Sequence, residues 1–337
     1  MQNNTIAKTV SGLSVGSPTV FEHLAAFPLR GAARAVEDYL TLEQALTGKT
    51  ARVTEISESG SVPELRFVND GNTPVLLLDG EELVGAKQNR ILNLTILVAA
   101  RSEILIPVSC VEQGRWSRRS EEFTAARRTM YARGRAEKME HVSMAMAGGS
   151  RRANQGAVWS SVTDKAACMG VSSDTGAMSD IYENRQAKLA EYTGAFVAGD
   201  EQCGAVFCLG GRVAGLELFD RPAVFGALFP ALVQSYALDA MEGRLQGGVV
   251  SPDAVGEFLM ELSETSARRF DALGIGEDLR FRDTRVSGAA LEVEGRLVHL
   301  LAYARHSHTG DGEQKDATGE PGYRSRVLPF SRRRRGH

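Results

Sequence analysis

Two short segments carry most of the side chains that could do chemistry. "DGEELVGAKQNRIL", residues 79–92, sets Glu81, Glu82, Lys87, Gln88, Asn89 and Arg90 inside an otherwise apolar run, and "CVEQGRW", residues 110–116, adds Cys110, Glu112, Arg115 and Trp116. A polar group buried without a partner costs about 1–3 kcal/mol and a lone charge more, so these groups either pair with one another or line a cleft. In the first case Glu82 or Glu112 meets Lys87 or Arg90 and the network is structural. In the second, Lys87 and Arg90 hold the oxygens of an anionic, phosphorylated ligand, while Gln88 and Asn89 read its hydroxyl or amide groups. Arg115 offers phosphate a bidentate fork, and Trp116 offers a ring face to a base or sugar or simply caps the core. Glu82 or Glu112 would then serve as general base if a reaction occurs. Cys110 is either a buried inert thiol or a nucleophile, and the second role needs a neighbouring base or cation that no nearby histidine supplies.

The elements that must position these groups are strands. "ARVTEIS", "ELRFVN", "PVLLLDGEELVG", "ILNLTILV" and "EILIPVSCVE", within residues 51–113, are rich in β-branched residues and bounded by Gly, Asn, Asp and Pro. Their short spacing predicts an antiparallel β-sandwich or partial barrel with flanking helices, an α+β fold, with Gly85–Asn89 joining two neighbouring strands. A helix is expected in "AVEDYLTLEQALTGKT", others in "TGAMSDIYENRQAKLAEYTGAF", "RPAVFGALFPALVQSYALDAM" and "SPDAVGEFLMELSETSARRFDAL", the last capped by Ser251 before Pro252. Residues 155–304 thus read as mixed αβ, with turns at Gly210-Gly211 and Glu294-Gly295. "VLLLDGEELVG", "VFCLGGRVAG" and "LEVEGRLVHL" all have the form of hairpins, through duplication or through shared turn geometry.

Residues 115–150 differ in character. Arg118, Arg119, Arg127, Arg128, Arg133, Arg135 and Lys138 alternate with acids among few large apolar residues, which reads as an exposed helix or arm, with Arg115–Lys138 a contact surface for a protein partner. Residues 305–337 are polar, Gly-rich and basic and read as a disordered tail.

The composition excludes several classes. With 39 basic and 42 acidic residues the chain has no electrostatic footprint for nucleic acid. No continuous apolar run has the length of a membrane helix and no leader pattern opens the chain, so a cytoplasmic protein is expected. The four cysteines, Cys110, Cys168, Cys203 and Cys208, lack metal-ligand spacing, so neither a metal nor another cofactor is expected. The phosphate-loop, dinucleotide-binding and nucleophile-elbow motifs are missing too. His299, inside an apolar strand, reads as a core residue.

"DGEELVGAKQNRILNLTILV", "IPVSCVEQGRW", "QGAVWS", "GAVFCLGGRVAGLELF" and "SYALDA" together resemble a bacterial family, the ARG and rhodanese-phosphatase-superfamily-associated domain, over about Thr19 to Tyr303. The resemblance implies a single domain over residues 19–304. The family's association with ADP-ribosylglycohydrolases and rhodanese-like phosphatases implies a phosphorylated nucleoside or an ADP-ribose- or NAD-derived metabolite as ligand. It assigns no catalytic residue. A non-enzymatic scaffold or sensor with a structural polar network is the alternative.

Overall fold

The computed structural model describes residues 5–31, 38–57, 63–117, 119–242, 248 and 250–305. The chain begins with α1 (Thr5–Ser11), β1 (Leu13–Val15), β2 (Thr19–Phe21) and β3 (Leu24–Gly31). β4 (Leu40–Thr41) and α2 (Leu42–Thr47) precede β5 (Ala51–Thr54), β6 (Glu64–Asn69), β7 (Val75–Leu77), β8 (Glu81–Gly85), β9 (Arg90–Leu92), β10 (Ile96–Val98), β11 (Ser102–Cys110) and β12 (Phe123–Thr129). Helices α3 (Ala132–Met146), α4 (Gln155–Cys168), α5 (Met178–Asn184) and α6 (Gln186–Ala195) lead to the hairpin β13 (Gln202–Leu209) and β14 (Arg212–Phe219). Then come α7 (Pro222–Ala240), α8 (Pro252–Glu264), β15 (Arg268–Asp271), β16 (Glu277–Arg282), β17 (Val286–Val293) and β18 (Arg296–Ala304).

Two antiparallel sheets carry the fold. The nine-stranded sheet runs β1-β3-β13-β14-β18-β17-β16-β15, with β2 also on β3. Its central strands are apolar on both faces because both are covered: α1 and α8 pack on one, α7 and its neighbours on the other. The six-stranded sheet, β12-β8-β9-β11-β6-β5, curls until its ends meet, where Thr54 and Glu122 form an isolated antiparallel bridge. Val53, Leu65, Phe67, Leu83, Leu92, Ile106, Val108 and Phe123 fill the near-barrel so made, with α2 and the small sheet β10-β7-β4 packed on the same core. This is the helix-flanked α+β architecture the strand pattern predicts.

Several local expectations need correction. "VLLLDGEELVG" is not a hairpin: β7 pairs with β4 and β10, β8 with β9 and β12, so the chain passes between sheets at Leu78–Gly80. The two later hairpins form as expected around Gly210-Gly211 and Glu294-Gly295. The helix expected from residue 35 is confined to Leu42–Thr47, because Tyr39–Thr41 extend along β7 and Thr41 caps the helix in a reciprocal box with Gln44; residues 35–37 lie outside the described residues. The segment at 175–196 divides into α5 and α6 at Arg185, and the one at 251–273 ends at Glu264 and turns into β15. Ser251 caps α8 as expected, accepting from Asp253 N–H.

Residues 115–150 are not an exposed arm. They form β12 and α3, and Arg135 and Lys138 are fully buried because remote carboxylates receive them. Arg118 and the basic segment after Arg305 lie outside the described residues. α7 is long and apolar enough to cross a membrane by length and composition, yet most of it is packed in the main core.

Candidate functional site

Strand register builds the site. Arg90 stands opposite Leu83 on β8 and opposite Cys110 on β11, and residues paired across strands share a face, so both point into the barrel with Leu92 and Val108. A guanidinium therefore sits in one end layer of an apolar barrel, 0% exposed. Its Nη1 donates to Gln88 Oε1 at 3.0 Å, while Nε and Nη2 have no hydrogen-bond partner. Burial pulls the Arg90 pKa below its ordinary value, and the neighbouring Cys110 and Glu55 work against that pull. The Cys110 thiol donates to the same Gln88 Oε1 at 3.1 Å. Gln155, the first residue of α4, fixes the Cys110 backbone through both its N–H and its C=O, each at 2.8 Å.

Glu55 completes this layer. It follows Val53 at the interior-facing parity, and both its carboxylate oxygens are buried without a partner. At the barrel seam a cleft of about 370 Å³ is lined by Arg52, Thr54, Glu55, Ser57, Lys87, Glu121 and Glu122. Trp116 is 50% exposed beside it, its ring centroid 5.4 Å from Lys87 Nζ and 6.0 Å from the Arg90 guanidinium, within cation–π range of both.

The remaining expected site residues have other work. Arg115 donates to the Gly85, Ala86 and Ser117 carbonyls, to Asn89 Oδ1 and, at 2.6 Å, to Glu112 Oε2. It clamps a connection that passes through left-handed backbone at Ala86, φ 38°. Glu112 also accepts from Asn89 N–H and Thr175 Oγ1, and Arg115 is the chief opponent of burial in holding its carboxyl below the ordinary range. Glu82 lies on the opposite face from Leu83, outside the barrel, and pairs with Arg128; burial raises its pKa against that partner. So the structure brings Lys87, Gln88, Arg90, Cys110 and Trp116 together, assigns Asn89, Glu112 and Arg115 to a closed network, and sets Glu82 apart. The carboxylate that acts most strongly on Arg90 is Glu55, which pattern reading missed because it follows β5, remote in sequence from Arg90.

A second buried assembly joins the barrel to the large sheet. Lys138 donates to Asp79 Oδ2 at 2.7 Å and to the Leu92 and Asn93 carbonyls. Arg135 donates to Glu217 Oε1 at 2.6 Å, Glu217 Oε2 lies 3.0 Å from His299 Nε2, and His299 Nδ1 lies 2.9 Å from Thr95 Oγ1. Asp278 binds Arg280 through two hydrogen bonds beside a cavity of about 10 Å³, near the limit for one water. Three carboxylates thus face three cations, and His299, with both ring nitrogens partnered, is a core histidine as expected. Gly80 makes room for this: its φ is +76°, and an added Cβ would meet Arg135 side-chain atoms at 2.8–2.9 Å. Gly80→Ala is expected to cost about 1–3 kcal/mol, from left-handed strain plus displacement of the guanidinium, read from urea unfolding; an unchanged midpoint would sink that account.

Among the described residues no group of three His, Cys, Asp or Glu side chains comes together as a metal site. The fold and site define an antiparallel α+β protein with an almost closed barrel, a buried cation at its mouth and a buried ion network at its base. Residues 12–303 match the ARG and Rhodanese-Phosphatase-superfamily-associated Protein domain, and the chain belongs to that family. No curated protein and no solved structure matches it.

Proposed function

We propose that the chain binds a small phosphorylated ligand of the phosphorylated-nucleoside or ADP-ribose class at the barrel mouth. The observation that carries this reading is Arg90, fully buried with two nitrogens unpartnered. A guanidinium so placed holds oxygens of a phosphate more tightly than water would allow, because the surrounding apolar wall strengthens the interaction. Glu55, Glu121 and Glu122 at the seam suit ribose hydroxyls, while the half-exposed Trp116 offers a face for a base. The cleft lies within the roughly 300–1,000 Å³ of small-molecule sites. If chemistry follows binding, Glu55 is the carboxylate placed to act as base, in preference to Glu82 or Glu112. The name of the family, with its association to ADP-ribosylglycohydrolase and rhodanese-phosphatase proteins, supports the ligand class.

Calorimetry with ADP-ribose, NAD and AMP tests this. The wild type is expected to bind at least one of them, and Arg90→Met to weaken that binding at least about tenfold. The same substitution removes a buried, half-satisfied charge and is expected to leave stability unchanged or higher. Failure of the wild type to bind any of the three overturns the ligand class. Unchanged affinity in Arg90→Met overturns the residue assignment.

A second reading, a scaffold or sensor, is favoured by the closed pairing of Asn89, Glu112 and Arg115, which needs no ligand to be satisfied. Under it all three compounds fail.

A further inference from the structure

A second cleft, remote in sequence from the barrel mouth, lies where α3 crosses the outer strands β15 and β16. Its volume is about 360 Å³, and its lining combines Met139, Met144, Phe270 and Phe281 with Arg268, Arg280 and Arg282. Met144 is 56% exposed, a large apolar side chain left at the rim.

The charges here do not balance. Arg268 and Arg280 are direct cross-strand partners, an arrangement in which like charges repel. Arg280 is neutralised by Asp278, at 2.5 and 2.7 Å. Arg282 and Arg305 share the single carboxylate of Glu140, each at 3.3 Å. Among the described residues four guanidiniums thus meet two carboxylates, and Arg268 lies against the face of Phe270, 5.3 Å from its guanidinium. It stands exposed on an edge strand that pairs with β16 alone. The barrel mouth, by contrast, carries three carboxylates on its lining.

We propose that this cleft binds a small amphipathic anion, its single carboxylate, sulfonate or phosphate head on Arg268 and its apolar body against Met139 and Phe270. An anionic head supplies Arg268 with the counter-charge that no carboxylate among the described residues gives it within ion-pair distance. Thioether and ring surfaces accept either a short acyl chain or an aryl group, since methionine fills irregular apolar gaps readily. The site is independent of the barrel mouth, and Arg90→Met leaves it intact.

The test is calorimetry of the full chain with decanoate and with naphthalene-2-sulfonate, which separate acyl from aryl bodies. Decyltrimethylammonium and inorganic phosphate serve as single-property controls. One or both amphipathic anions are expected to bind, and neither control. Arg268→Glu, at an exposed position with no ion pair among the described residues, is expected to weaken that binding at least about tenfold. Ser143→Trp, which fills the cleft, is expected to abolish it. Near-UV circular dichroism verifies that both variants fold; if Ser143→Trp does not, Arg268→Glu alone decides. No binding of either anion by the wild type overturns the proposal, as does equal binding of phosphate or of the cation. Affinity untouched by Arg268→Glu overturns the site assignment and the proposal with it.

Discussion

Arg135→Met is expected to destabilise the protein by about 3–5 kcal/mol, because breaking a fully buried pair strands its partner's charge. Both Arg135 and Glu217 are 0% exposed, and Arg135 also lies 3.5 Å from Asp79 through Nε. Without the guanidinium, the ion-pair partners left among the described residues are His299 for Glu217 and Lys138 for Asp79. Adding Glu217→Gln to Arg135→Met removes the stranded charge and is expected to recover part of the loss, the coupling emerging from the four unfolding curves of the cycle. The exposed pair Arg52–Asp70 is the control: its loss is expected to cost no more than about 1 kcal/mol, since solvent screens both groups. Urea denaturation measures all of these. An Arg135→Met loss as small as that of the exposed pair would mean that water reaches the network.

Glu81→Gln is expected to stabilise the protein in a strongly pH-dependent way. Burial pushes the Glu81 carboxyl up to about 8, with the charge of Glu43 adding to the rise and the Leu78 N–H opposing it. The folded-state value therefore exceeds the unfolded one. Below about pH 4.5 the carboxyl is neutral in both states and its favourable contribution is complete. Between there and about pH 8 the unfolded chain releases a proton that the folded chain keeps, and stability falls as the pH rises. Above that the contribution is lost, a total of roughly 5 kcal/mol for a shift of this size. Glutamine has no proton to lose. The variant should match the wild type at pH 4, exceed it progressively through pH 6 and 7, and hold a constant advantage from pH 9. A difference in melting behaviour that is flat with pH would contradict a neutral, buried Glu81.

How far the sequence reveals this architecture depends on the range of the interaction. β13–β14 and β17–β18 are legible because a Gly-containing turn sits between two apolar runs, and both signals are local. The juxtaposition of Arg90 and Cys110 is half legible: the segments read as strands, and an antiparallel pairing suffices to bring them level. Glu55 is not legible, because its approach to Arg90 depends on the curl of a whole sheet. Arg135 and Lys138 mislead outright, since a stretch dense in charge and poor in large apolar residues resembles a solvated surface. Their carboxylates come from Asp79 and Glu217, on either side of α3 in sequence, and only the assembled layers supply them. The same reasoning explains the division of "VLLLDGEELVG": an apolar run on each side of an Asp-Gly pair fits a hairpin, but the left-handed Gly80 instead directs the chain from one sheet to the next over the Arg135 side chain.

Among the described residues the six-stranded sheet closes through one bridge, Thr54 to Glu122. Every other junction around the ring is a ladder of at least two residue pairs, so local opening is expected to begin at this seam, below the cost of global unfolding. The parting of these strands widens the rim directly beside Glu55 and Lys87. Fraying of this one joint would therefore open the ring while leaving the rest of the fold in place.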